Sequence, residues 1–182
     1  ILQSGNQAVT VGAVTAAGGL VSIGGSTFAT TAGKALNIDG GVTLTHGGTV
    51  TLNSDATVGA NFASGGAGGF TQAASTLLDV TGNVDLSHNG AVSLAGQTQV
   101  VNGFTSNGAG TFAIATGGSI EAGGAVNIHH AGAITLAGDI EGSFVVLQTD
   151  ATTATAIDAT AAAVVTATTG DLTLISAGGM SL

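Results

Sequence analysis

The sequence predicts an all-β fold, a parallel β-helix (β-solenoid) of short strands stacked coil upon coil. Three observations predict it: an internal repeat of 42 residues, period-two alternation within short runs bounded by glycine corners, and a composition poor in aromatics and free of proline.

The repeat is set by Phe28, Phe70 and Phe112, which lie 42 residues apart, and by His46, His88 and His130 at the same spacing. Five apolar rows keep phase with them: Leu36, Leu78 and Ile120; Val42, Val84 and Val126; Leu44, Leu86 and Ile128; Val50, Val92 and Ile134; Leu52, Leu94 and Leu136. Self-similarity at a fixed period of this size marks a stacked architecture, in which each unit buries its apolar face against the next.

Within a unit, Val42-Thr43-Leu44-Thr45 and Val50-Thr51-Leu52 alternate apolar and polar, the pattern of half-buried strands. Strands are expected near 28–30, 36–38, 42–44, 50–52, 56–58 and 60–63, separated by corners such as Gly47-Gly48, Asn89-Gly90 and Gly65–Gly69. Three strands close a triangular coil, so the unit reads as two different coils of about 21 residues, and eight or nine coils make a rod of ~40 Å at ~4.8 Å per coil.

The chain divides into a degenerate unit at 1–27, repeats at 28–69, 70–111 and 112–153, and an irregular Ala/Thr-rich unit at 154–182. In the first, Ile1-Leu2 and Val9-Thr10-Val11 echo the Val-Thr-Leu runs with one residue inserted. In the third repeat, Asp139–Phe144 slips by about two residues, taking Phe144 out of the row of Phe62 and Phe104. Residues 151–169 lose the motif, and their Thr and Val content favours strands over helix.

Composition fits a thin core of small and β-branched residues: aromatics are 3% of the chain, six Phe with no Trp or Tyr. Proline, which removes a ladder donor, is absent, and so is cysteine. One cation, Lys34, stands against ten acids, a net charge of −9 that offers no footprint for nucleic acid or an anionic membrane. No apolar run is long enough to span a bilayer, so membrane insertion is not expected. The chain starts at Ile1 in mid-pattern with no signal peptide, which reads as a piece of a longer polypeptide.

The phrases Gly90-Ala-Val-Ser-Leu-Ala-Gly, Gly132-Ala-Ile-Thr-Leu-Ala-Gly and Gly170-Asp-Leu-Thr-Leu-Ile-Ser-Ala-Gly-Gly resemble the repeat region of filamentous-haemagglutinin-like adhesins of Gram-negative bacteria. The resemblance covers most of the chain. It implies a right-handed parallel β-helix, secretion to the extracellular space or cell surface, and attachment to surfaces, other cells or polysaccharide. It carries over no catalytic residue.

The candidate sites are few. The spacing of His46, His88 and His130, two coils or ~9.6 Å apart, is too wide for one metal ion to bridge. They are expected at a solvated corner or a contact between rods, with His129 and His130 pointing to different sides. Asn37, Asp79 and Glu121 form an outward row, ordinarily a solvated face; Asp79 and Glu121 are the candidates for weak calcium binding, and no other cofactor is indicated. Acids are too scattered for a glycosidase or lyase pair, so no enzyme is expected. No Lys-Ser or Lys-Thr follows Gly65–Gly69, so that run is a corner and not a phosphate loop.

Phe28, Phe70 and Phe112, with Phe62 and Phe104, read as core filling; facing outward they would form a seam between rods. Thr51, Ser93 and Thr135 keep a hydroxyl, but the other outward positions are too mixed for an ice-binding plane. The expected role is a stalk segment of a secreted adhesin. The alternative is an extracellular filament or sheath subunit associating with its own copies end to end or side by side, for which Gly178–Leu182 provides no charged or helical cap.

Overall fold

The computed structural model describes residues 2–182, with side chains from Gly5 onward. Ile1, part of the expected echo at the start of the chain, lies outside the described residues. Among the described residues, twenty-six strands assemble into three wholly parallel sheets of nine, nine and eight strands. Every third strand in the sequence belongs to the same sheet. The chain therefore passes through sheets A, B and C in turn and begins a new coil on each return to sheet A.

The sheets differ in strand length. In the repeats, sheet A takes five-residue strands such as Val42–His46, Phe62–Gly66 and Val84–His88. Sheet B takes three-residue strands such as Val50–Leu52 and Phe70–Gln72. Sheet C takes three or four, as in Ala56–Val58 and Leu77–Val80. Two of the expected strands are corrected. The run at 42–44 extends to His46, and that at 60–63 begins at Phe62 and continues into Gly66. Ladder bonds to neighbouring coils carry the first through Thr45 and His46, and in the second they hold Gly65 and Gly66 extended despite the low strand propensity of glycine.

The two coils of a unit are unequal, a shorter one and a longer one in alternation. Val42 pairs with Phe62 across the shorter step, and Phe62 pairs with Val84 across the longer. The same alternation recurs in sheet B, from Val50 to Phe70 to Val92. The two extra residues fall at the corner between sheets B and C, where alternate coils form a protruding turn. Gly33, Ser75 and Gly117, one in each repeat, all take positive φ there, at 69°, 61° and 83°. Ser75 is the position where a side chain bears the steric cost of the left-handed conformation.

Inward positions from all three sheets form one continuous core. Val42, Val84, Val126, Leu44, Leu86 and Ile128 are all buried, and Phe28, Phe62, Phe70, Phe104 and Phe112 have 0% exposure. The aromatic rows are therefore core, not a surface seam. Phe62 meets Phe70 edge to face with centroids 6.1 Å apart, an arrangement that suits the ring quadrupoles. Burying each such side chain contributes about 1.5–3 kcal/mol.

Outside the regular repeats the strands pair with changed spacing. Val9–Val11 joins sheet B opposite Phe28–Thr30. Val145, not Phe144, takes the place of Phe62 and Phe104 by pairing with Val126, and Phe144 is left 49% exposed at the corner. The Ala/Thr-rich stretch contains the strands Ile157–Ala159 and Val165–Ala167 and no helix.

Candidate functional site

The most structured polar feature lies inside the rod, at the end of sheet A. His46, His88 and His130 are at most 1% exposed, which corrects the expectation of a solvated corner or inter-rod contact. The cause is register. Position 46 is in phase with Val42 and Leu44, so the alternation carries the ring inward before the glycine corner begins. His129, one residue out of phase with His130, points to solvent and meets Asp150 at 3.2 Å.

Each buried ring is held the same way. The hydroxyls of Ser22, Ser64 and Ser106, in the preceding coil, lie 3.0, 3.0 and 2.9 Å from Nε2 of His46, His88 and His130. On the other side Nδ1 lies 3.2, 3.1 and 3.2 Å from the carbonyls of Ser26, Gly68 and Gly110. A carbonyl only accepts, so Nδ1–H donates to it, and the neutral ring accepts the serine proton at Nε2. Phe28, Phe70 and Phe112 pack against the three rings at centroid distances of 5.5, 5.8 and 5.5 Å. Burial pushes the His88 and His130 rings below the usual imidazole range, outweighing the carbonyl bonds that favour the charged form.

Glycine makes room for the ring. Gly24, Gly66 and Gly108 pair with His46, His88 and His130. Gly66 also has φ 143°, and a Cβ there would strike the carbonyl of His46 in the coil before. Serine, histidine, phenylalanine and glycine thus form one corner unit, repeated with the period of the sequence. The serine was legible in the same inward phase at the same spacing. What the sequence alone hides is that it belongs to the neighbouring coil.

A serine hydroxyl on a histidine nitrogen has the geometry of an activated nucleophile. Here the two groups are sealed from solvent, and a carbonyl stands where a catalytic triad places a carboxylate. The arrangement satisfies buried polar groups; it has no approach for a substrate.

The calcium candidates lie on the outer face of sheet C, in the row Asn37, Thr57, Asp79, Gln99, Glu121, Glu141. Gln99 separates Asp79 from Glu121 and donates to the latter at 3.5 Å. Glu121 instead neighbours Glu141, beside a shallow groove of about 540 Å3 that Asp139 also lines. Asp139 accepts from the Val164 amide at 2.9 Å. Among the described residues, no three His, Cys, Asp or Glu side chains come together as a metal site.

On sheet B the outward row is Thr10, Ala29, Thr51, Thr71, Ser93, Ala113 and Thr135, one residue per coil. Ala29 and Ala113 interrupt its hydroxyls. A second buried network joins Gln72 to Thr98, whose hydroxyl donates to Oε1 at 2.9 Å, while Gln72 Nε2 donates to the Gln97 carbonyl at 2.8 Å. Sequence reading missed it because it occurs in one unit and has no row.

No family model, curated protein or solved structure matches the chain. The β-solenoid implied by the adhesin resemblance is present in the structure. No helix among the described residues is long and apolar enough to cross a membrane.

Proposed function

We propose that this chain is a stiff stalk segment of a large secreted bacterial surface adhesin, acting by extension and multivalent attachment at the cell surface. The observation that carries this reading is the unbroken stack of parallel coils around one apolar core. A stack in which each coil is held by its neighbours lengthens without changing its cross-section, which is what a spacer needs. The polar groups in its interior hold the corners together, leaving the outer faces for display.

The mass of the native polypeptide tests the reading. A denaturing-gel band of hundreds of kilodaltons supports a stalk, and a band near 17 kDa overturns it in favour of a complete subunit. On the stalk reading, cells displaying the protein with residues 70–111 removed in frame keep their ligand preference and lose reach.

A second reading, a filament or sheath subunit stacking on its own copies, shares the observation that carries the first, because coils of one cross-section stack without a set limit. The last described coil leaves Leu172, Met180 and Leu182 exposed, beside an apolar hollow lined by Leu136, Leu147 and Leu174. Another coil, continuing the same polypeptide or belonging to a second copy, would bury these groups and pair the open strand edge. Sedimentation across a concentration series distinguishes the two: growth with concentration favours the filament, and a constant monomer favours the stalk.

A further inference from the structure

We propose that the Ser–His corners at His88 and His130 act as acid latches, holding sheets A and B together at neutral pH and loosening that corner when the ring takes up a proton. The inference does not depend on what the rod carries or displays. It rests on the geometry of the corner. Each ring has both nitrogens engaged, Nε2 by the serine hydroxyl of the preceding coil and Nδ1–H by a corner carbonyl, and lies against a phenylalanine. That set of bonds is complete only for the neutral ring. A second proton, from solvent, would sit on Nε2, and the serine would have to turn its own proton away.

No counter-charge is at hand. Around His88 the packed groups are Ser64 and Gly66 in the preceding coil, the Gly68 carbonyl at the corner, Phe70, and Gly108 in the following coil. Around His130 they are Ser106, Gly108, the Gly110 carbonyl, Phe112, and Thr149 of the following coil, the last of these donating to the Gly132 carbonyl at 2.7 Å. None is charged. The ionisable groups whose field reaches His130 are His129 and His88, and both disfavour a further positive charge. Asp150 is held by His129. Asp85, on the strand of His88, is on the outward phase with Ser87 donating to it. A buried cation without a partner is a costly species.

The direction with pH follows. The unfolded or opened corner protonates near the ordinary imidazole value of about 6.5, and the closed corner only at lower pH. Between the two values the open form binds more protons, so acid favours opening by up to about tenfold per pH unit for each ring. Above that window the latch is fully effective.

Amide exchange by mass spectrometry on the whole chain, corrected for the intrinsic pH dependence, tests this between pH 7.5 and 5. The expected result is a rise in opening at 84–90 and 126–132 as pH falls below the ordinary imidazole value, by up to about tenfold per pH unit. Leu172–Ser176, whose coils have no such corner, should show none. In parallel, ring 15N shifts should report the Nδ1–H neutral tautomer for His88 and His130, persisting below the ordinary imidazole value. Rings that protonate at the ordinary value in the folded chain, or protection indifferent to pH, overturn the proposal. The His88→Gln/His130→Gln variant sharpens the result: if it folds and still opens with acid to the same degree, the latch is not at these rings. If it does not fold, the wild-type exchange and ring shifts decide.

Discussion

Residues 20–142 and residues 143–182 form coils from much the same residue types, yet they are packed differently. In the first region strands bury every second residue, and shorter and longer coil steps alternate regularly. In the second, Val145 pairs with Leu172 across a step longer than either of these, and Val165–Ala167 has no fully buried residue. No phenylalanine enters the core there: Phe144 stands half-exposed at the corner. Thr149 stands opposite His130 in the place that Gly66 and Gly108 hold in earlier coils, and Ser176 follows it where a histidine would recur. Composition therefore does not make a tight coil. What does is a large side chain delivered inward at a fixed step, so that each layer fills the space left by the one before.

The largest test of that contrast is to hollow out each region. Phe70→Ala should cost about 3–5 kcal/mol, because the ring is fully enclosed by neighbouring coils, and Val165→Ala well under half of that. Urea unfolding monitored by circular dichroism gives both values. Equal losses would mean that the two regions are packed alike.

Next in size are the corner groups. Gly66→Ala should cost about 1–3 kcal/mol, since it combines unfavourable φ with a collision against the His46 carbonyl. Gly170→Ala should cost less, because its neighbour is the half-exposed Phe144 ring, which can swing outward. Ser64→Ala should cost about 1–3 kcal/mol by leaving the buried Nε2 of His88 without a donor. Thermal midpoints of the three variants rank them.

Limited proteolysis sharpens the same boundary. The first cuts should fall in 151–169, where coils are long and loosely packed, and 28–148 should persist as a fragment. Cutting at every glycine corner would be incompatible with a stacked rod. The smallest expected effect is a gain: Ser75→Gly should stabilise by up to about 1 kcal/mol, by matching the left-handed turn already served by Gly33 and Gly117. Its unfolding midpoint checks this.

The sequence by itself determined the period, the strand phase and the core. The rows of Val42, Leu44 and Phe28 needed only spacing and alternation, because stacked coils repeat the same environment at the same interval. It also marked the place where the pattern breaks, at Phe144. The structure decided what lies between the rows. The histidines proved to be interior because the long sheet A strand holds its alternation up to Gly47. Ser64 became the partner of His88 because neighbouring coils set them side by side although they are far apart along the chain. Gln99 came between Asp79 and Glu121 because the two-coil period hides every other layer. Contacts between unlike coils depend on the offset at which they stack. That offset is set by the corner turns and the packing of both coils together, and a row of identical residues within one kind of coil does not reveal it.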